Sequence, residues 1–238
     1  MILIIFVSFL LAISLFTETF GFFMRAIGRE INANSFGYSA HVQLATLSRI
    51  GTFIGLPIIA FLIDSGIDNY LIFLLPVLTF IFYILLSLLA IKFKSNTINI
   101  AYFCFKKIIF FSKVEIDMKV FNQDLNISFS DHLHIQELKS IKKFGFYAFI
   151  FTSGAFFISS ILAKNFHLYR ATILQLTPFV SFIGTMNSVL YFDPILSHLI
   201  DSRSNPFPII FEVIKIRLKS AIALILLFLS IFIIYYIL

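Results

Sequence analysis

Long apolar runs separated by short polar stretches are the main pattern along the chain. Six of these runs approach or exceed the roughly 20 residues that a helix needs to cross the hydrocarbon core of a bilayer. They cover residues 2–23, 36–63, 70–91, 144–163, 170–191 and 221–238. The pattern predicts an all-α polytopic membrane protein with about six transmembrane helices.

One region between the third and fourth runs is polar, and it divides the chain. Residues 92–143 hold nine Lys and five Asp or Glu. Within this region, 98–111 is aromatic, apolar and basic at Lys106 and Lys107, which favours an amphipathic helix lying at the membrane interface. The rest, 112–142, is predicted to be a hydrophilic cytoplasmic linker. The chain therefore divides into an N-terminal half of three helices, a linker and a C-terminal half of three helices, at 1–91, 92–143 and 144–238.

The two halves share three short sequence matches in the same order. The clearest pairs Phe20-Gly21-Phe22-Phe23 with Phe144-Gly145-Phe146-Tyr147. Two inverted three-helix repeats, as in many transporters, would produce such matches, and so would chance.

Composition agrees with a membrane protein, and the placement of charge predicts its orientation. The chain is 60% hydrophobic with a formal net charge of +6, and its mean hydropathy is +1.00. The loops after runs one, three and five hold 15 of the 18 Lys and Arg residues, and the loops after runs two and four hold 2. By the positive-inside rule both termini face outward and the three basic loops are cytoplasmic.

Charged side chains occur inside or at the ends of the apolar runs, where charge is costly. An Asp or Arg at the centre of a spanning helix costs roughly 2.5–3.5 kcal/mol on insertion scales. At 100° per residue, Glu18, Arg25 and Arg29 fall within about 40° of one another, so they form one polar stripe on the first helix. Arg49 lies inside the second run. Functional use of these residues is the simplest reason for keeping them.

Arg49 adjoins a row of small or polar residues at helical spacing in the second run. The row could be a close helix–helix packing face, since small residues allow tight approach in lipid, or it could line a cavity. The residues are His41, Ala45, Ser48, Thr52 and Gly55.

Several kinds of site are not indicated by the sequence. Cys104 is the only cysteine, so no internal disulfide or cysteine metal site can form. His132 and His134 stand two apart in a polar stretch, and two ligands do not make a zinc site. No Walker motif is present. We therefore predict no cofactor, no metal ion and no nucleic-acid partner.

Four motifs, in order, resemble the Amj family of bacterial membrane proteins, the alternate lipid II flippases. They are Glu18-Thr19 with Arg25 and Gly28; Ser48-Arg49; Arg170-Ala171-Thr172 with Gln175-Leu176; and Phe192-Asp193-Pro194 with Ser197 and Asp201. The resemblance covers roughly 9–64 and 145–205. It implies a multi-pass protein of the bacterial cytoplasmic membrane that moves lipid II, the undecaprenyl-diphosphate-linked peptidoglycan precursor, to the outer leaflet.

The polar stripe and the resemblance together give a set of candidate substrate-binding residues. Arginine suits a diphosphate because its planar guanidinium pairs bidentately with phosphate oxygens. In this hypothesis Arg25 and Arg29 capture the diphosphate, Arg49 is a waypoint within the membrane, and Glu18 holds an arginine while the site is empty. The alternative is that Glu18 and either Arg25 or Arg49 form a buried ion pair that only fixes helix register. The candidates are Glu18, Arg25, Arg29, Ser48, Arg49, Arg170, Gln175 and Asp193.

Two other classes of function stay open at this point. Ser48-Arg49 with Thr52 and a membrane Glu faintly resembles integral undecaprenyl-diphosphate phosphatases, in which Arg holds phosphate and a Ser or His acts on phosphorus. A non-catalytic membrane scaffold is the third alternative. A phosphatase should release phosphate in detergent, a scaffold should tolerate Arg49→Ala, and a flippase should do neither.

Overall fold

The structure is a computed structural model that describes residues 1–112, 135–203 and 205–237. These residues form helices joined by short turns, with a 3₁₀ turn at His167–Tyr169 and a π-helical turn at Ser188–Phe192. The α-helices are α1 (Ile2–Phe20), α2 (Phe22–Glu30), α3 (Asn34–Asp64), α4 (Asn69–Lys92), α5 (Lys94–Ser112), α6 (Ile135–Asn165), α7 (Arg170–Gln175), α8 (Thr177–Asn187), α9 (Asp193–Asp201) and α10 (Phe207–Ile237).

Within the described part of the chain, six helical stretches are long and apolar enough to cross a membrane. This confirms the prediction of an all-α polytopic membrane protein with six spans. The stretches are Ile2–Glu30, Asn34–Asp64, Asn69–Lys92, Lys139–Asn165, Arg170–Asp201 and Phe207–Ile237. The linker predicted at 112–142 lies largely outside the described residues, and the internal repeat stays a prediction.

The fifth and sixth spans differ most from the sequence prediction. The fifth run was predicted to end at residue 191, but the chain passes through the π-helical turn directly into α9. Pro194 cannot donate to the carbonyl four residues back, and a wide π turn is one way for a helix to accommodate that loss. The start predicted for the sixth helix, at residue 221, is also wrong, because α10 begins at Phe207 and includes Lys215, Arg217 and Lys219.

Contacts between the helices show that successive spans alternate in direction. The Ser14 hydroxyl of α1 contacts the Ser48 carbonyl of α3, and Ser8 donates to the Leu75 carbonyl of α4 over 3.2 Å. The Ser220 hydroxyl of α10 donates to the carbonyl of Phe146, near the start of α6. One end of the bundle, here called the basic end, therefore holds the α2–α3 turn, α5 and the starts of α6 and α10. The opposite end holds the start of α1 and the α3–α4 and α6–α7 turns.

The crossing of α2 and α3 depends on two glycines. A Cβ atom added to Gly28 would lie 2.5 Å from the Gly37 Cα atom, and one added to Gly37 would lie 2.8 Å from the Gly28 Cα atom. Both distances are far below van der Waals contact. The two backbones can approach this closely only without side chains, and the approach fixes Arg25 of α2 beside Tyr38 of α3.

Helix α5 closes the basic end with one apolar face. Ile98, Ala101, Phe105 and Ile109 recur at helical spacing and are buried, whereas Phe110 on another face is exposed. The predicted helix is therefore present, with one face packed on the bundle, while Phe103 and Phe110 are exposed. Its position at the membrane interface stays a prediction.

Candidate functional site

The fifth span is weakly attached to the bundle on the side that faces α3. Helix α3 packs on α1 and α2, whereas α8 packs on α6, and the described residues show no extended packing between α3 and α8. Only 6% of the apolar stretch within Arg170–Asp201 is buried. The fifth span contacts the end of α3 through the Arg170–Asp64 pair, without an extended packed face between α3 and α8 in the described part of the chain. We use the term cleft for the space between α3 and α7–α8.

An ion pair closes the basic end of the cleft. The Nη1 atom of Arg25 lies 3.1 Å from Oδ1 of Asp193, and Arg25 is only 5% exposed. The Arg25 guanidinium lies 4.7 Å from the centre of the Tyr38 ring. Its Nε atom is buried and has no hydrogen-bond partner among the described residues. A buried, half-satisfied guanidinium can accept a further anionic ligand.

The π-helical turn positions the carboxylate of this pair. It adds a wide turn just before Asp193, which begins α9. Ser188, at the start of the turn, lies 3.5 Å from the other oxygen of Asp193. Single π turns inside α-helices are frequent at functional sites, because they redirect the side chains that follow.

A polar pocket of about 400 Å³ adjoins Arg25 on the basic end. Asn34 donates to Oδ1 of Asp201 over 2.9 Å, and Nε of Arg29 donates to the Asp201 carbonyl over 3.1 Å. The pocket combines cationic, hydroxyl, amide and carboxylate groups. Its lining residues are Arg25, Asn34, Ser35, Tyr38, Ser197, Ile200 and Asp201.

A second ion pair closes the opposite end of the cleft. Arg170, at the start of α7, pairs with Asp64 at the end of α3. Both side chains are at least partly exposed. Exposed pairs of this kind usually contribute little to stability.

Arg49 lies between the two ends of the cleft. It is exposed, and among the described residues no side chain pairs with it. At about 100° per residue, Arg49 lies roughly 20° from Tyr38 and roughly 60° from Asp64 around α3. Tyr38 lines the polar pocket beside Arg25, and Asp64 pairs with Arg170 of the fifth span. Arg49 therefore points to the side of α3 that borders the cleft.

Glu18 pairs with Arg217, so the pairing expected with Arg25 or Arg49 is wrong. Nη2 of Arg217 lies 2.9 Å from Oε1 of Glu18, and Nη1 of Arg217 lies 3.0 Å from the Thr19 hydroxyl. Arg217 is buried, whereas the Glu18 side chain is 35% exposed. The Phe22 ring lies 4.9 Å from the Arg217 guanidinium and 5.9 Å from that of Arg25, so it links this pair to the cleft.

A sequence signal for Arg217 exists, but its neighbours mask it. Apolar residues recur at helical spacing on both sides of it, which would have placed it on a buried helix face. Lys215 and Lys219 lie two residues away on each side and indicated a basic loop instead. In the structure those two lysines are exposed, because they project from other faces of α10.

The remaining candidates lie away from these pairs. Ser48 is buried against α1, and its hydroxyl donates to the Ala45 carbonyl over 2.7 Å. His41 and Gly55 share that packed face, so close packing accounts for this part of the small-residue row. Gln175 is exposed at the end of α7. The structure thus joins Arg25 to Asp193, and Arg29 to the same end, but it keeps Ser48 and Arg49 on different faces of α3.

Outside the spans, α5 carries two groups with shifted acidity. Burial raises the pKa of the Cys104 thiol and that of the Tyr102 hydroxyl. Both groups are therefore neutral at physiological pH, and Cys104 is a poor nucleophile. In residues 1–112, 135–203 and 205–237, no three His, Cys, Asp or Glu side chains come close enough together to hold a metal ion.

Comparisons with known proteins leave the site to be interpreted from its own geometry. No protein-family model, curated protein or solved structure matches this chain.

Proposed function

We propose that this protein is a lipid II flippase that moves a polyprenyl-diphosphate-linked precursor through the cleft. The observation that carries the proposal is the row of arginines along the cleft. Arg25 and Arg170 stand at its two ends, each held by a carboxylate, and the unpaired Arg49 lies between them. An unpaired arginine in a spanning helix is costly, which favours a functional role.

Capture begins in the pocket at the basic end. The incoming diphosphate replaces the Asp193 carboxylate on Arg25 and also bonds the free Nε atom. A bidentate arginine–phosphate pair is stronger and more directional than a single hydrogen bond. Arg29, one helical turn away, adds a second positive charge at the mouth. The hydroxyl and amide groups of the pocket suit the sugar and peptide of the head group.

Transfer then follows α3 toward the opposite end. Arg49 receives the diphosphate at mid-membrane, and Arg170 receives it next, in exchange for Asp64. The exposed apolar surface of α8, with Phe179, Phe182 and Ile183, faces lipid and leaves the polyprenyl tail outside the protein. The diphosphate therefore meets an arginine at each stage and the tail never has to leave the hydrocarbon.

The proposed direction of transport follows from the distribution of charge. The basic end faces the cytoplasm, both termini face outward, and the protein resides in the bacterial cytoplasmic membrane as a multi-pass protein. Capture at Arg25 and Arg29 then occurs on the side where lipid II is made.

Complementation tests this proposal. The chain is expressed in a bacterium depleted of its essential lipid II flippase, alongside Arg25→Gln and Arg49→Gln variants. Wild type should restore growth, and each variant should reduce rescue at least tenfold in plating efficiency, since each loses a diphosphate contact. Lys215→Gln is the matched control, because Lys215 is an exposed cation on α10 that pairs with Glu212, away from the cleft.

Other outcomes of the complementation test would contradict the proposal. Rescue that survives both arginine changes would contradict the arginine pathway, and absence of rescue by well-folded wild type would contradict the function. Membrane abundance and melting temperature are measured for every variant. Arg49→Gln should leave the melting temperature unchanged, because its guanidinium has no partner in the described structure to lose. Release of inorganic phosphate from a polyprenyl diphosphate in detergent would indicate a phosphatase instead.

A further inference from the structure

A second pocket lies between α6 and α10 at the basic end, outside the cleft. It has a volume of about 310 Å³. None of its residues belongs to the cleft, to its ion pairs or to the polar pocket beside Arg25. Its lining residues are Lys142, Lys143, Phe146, Tyr147, Ile216 and Lys219.

Three lysines from two helices converge on this pocket without a carboxylate. Lys142, Lys143 and Lys219 are exposed, and among the described residues none of them forms an ion pair. Glu212, the acidic residue on this part of α10, is already held by Lys215. Like charges held near one another repel, so the arrangement favours an anion between the ammonium groups.

The other half of the pocket is apolar, and on α6 it lies deeper in the bundle than the lysines, because Lys143 immediately precedes the apolar stretch of α6. On α10, Lys219 lies one turn deeper than Ile216 and level with Phe146, since the neighbouring Ser220 donates to the Phe146 carbonyl. The Tyr147 ring is exposed beside them. The pocket thus combines cations with an apolar wall at the start of two apolar stretches, and the long side chain of Lys219 can extend toward the headgroups.

We propose that this pocket binds the headgroup phosphate of an anionic phospholipid from the surrounding bilayer. The lysines neutralise the phosphate, and the upper part of an acyl chain packs on the apolar wall formed by Phe146, Tyr147 and Ile216. Basic pockets between spanning helices on the cytoplasmic side are suited to this role. The lipid joins α6 to α10 at a level where their own cations repel, so it stabilises the bundle. This site is independent of the proposed transport function.

Thermal unfolding of the purified, delipidated full chain tests the site. The added probes are phosphatidylglycerol, phosphatidylcholine or inorganic phosphate, at equal ionic strength. Phosphatidylglycerol should raise the melting temperature by at least about 4 °C more than phosphatidylcholine does, because only bound ligand stabilises the fold. The triple variant K142Q/K143Q/K219Q should lose this extra shift. The control variant K92Q/K106Q/K107Q loses the same charge elsewhere on the basic end and should keep it.

Further measurements distinguish binding of a lipid headgroup from binding of free phosphate, and they control for misfolded variants. Tyr147→Ser should weaken the response to phosphatidylglycerol, whereas Lys219→Arg should preserve it. An equal shift with inorganic phosphate would show a phosphate-ion site and overturn the lipid proposal. If both triple variants lost the extra melting-temperature shift equally, the proposed site would be contradicted, because net charge alone would then explain binding. Native mass spectrometry should show at least threefold fewer phosphatidylglycerol molecules retained by K142Q/K143Q/K219Q, and unchanged retention would also overturn the proposal.

Discussion

At the scale of single residues, charge inside this bundle is neutralised between distant parts of the chain. Arg217 in the last span pairs with Glu18 in the first, and Asp193 in the fifth pairs with Arg25. The sequence identified Glu18 and Arg25, because charge in or beside an apolar run is conspicuous, and it identified Asp193 through the motif resemblance. It could not identify their partners, because pairing depends on which helices become neighbours.

The Glu18–Arg217 pair gives an asymmetric prediction. Glu18→Gln leaves a buried guanidinium without its carboxylate and should lower the free energy of unfolding by roughly 3 kcal/mol. Arg217→Gln leaves a carboxylate that is 35% exposed and can reach solvent, so it should cost less. The double variant should recover part of the Glu18→Gln loss. Denaturant unfolding in detergent measures all three.

The matched control for this cycle is the Glu212–Lys215 pair on α10, whose lysine is 48% exposed. Glu212→Gln should change the free energy of unfolding by less than about 1 kcal/mol, because it leaves a cation that can reach solvent. Additive losses from Glu18→Gln and Arg217→Gln would contradict a direct coupling between the two side chains.

At the scale of helices, the sequence predicted which segments are helices better than it predicted where those helices begin and end. Every apolar run became a spanning helix, because length and hydropathy are properties of the run itself. The end of the fifth helix was wrong, because a π-helical turn carries the chain past Pro194 into α9. The start of the sixth was wrong, because burial of Arg217 against other helices offsets the polarity that indicated a loop.

The contact between α2 and α3 gives a second prediction. Gly28→Ala places a methyl group 2.5 Å from the Gly37 Cα atom, where only backbone movement can relieve the clash. Overpacking of this kind costs roughly 1–3 kcal/mol, so the melting temperature should fall by about 5 °C or more. Thermal unfolding followed by size-exclusion chromatography measures the change.

Gly154→Ala is the comparison for this substitution. Its methyl group would lie 2.9 Å from Cδ2 of Leu224, which is the end of a flexible side chain. The melting temperature should fall much less than with Gly28→Ala. Equal effects of the two variants would contradict a backbone contact at the α2–α3 crossing.

At the scale of the whole molecule, charge gives the bundle two unlike ends. The basic end carries α5 and the polar pocket beside Arg25, and the opposite end carries Asp64 with Arg170. The sequence predicted this asymmetry because loop charge can be counted once the spans are known. It did not predict the cleft, since a gap depends on which helices fail to pack together.

Orientation in the membrane is testable with single cysteines. Cys104 is replaced by serine, and cysteine is introduced as Asp68→Cys at the opposite end or as Lys107→Cys on α5. A membrane-impermeant maleimide should label Asp68→Cys in intact spheroplasts, and Lys107→Cys only after permeabilisation. The reverse pattern would contradict the proposed orientation. Wild-type Cys104 should react slowly in both cases, because burial raises the pKa of its thiol.

The pairing of first-half charges with second-half partners also constrains how the protein is made. Glu18 is synthesised nearly 200 residues before Arg217, its partner over 2.9 Å. During biosynthesis the first helix therefore enters the membrane before the guanidinium that pairs with Glu18 has been made. A chain truncated before Arg217 lacks that partner altogether.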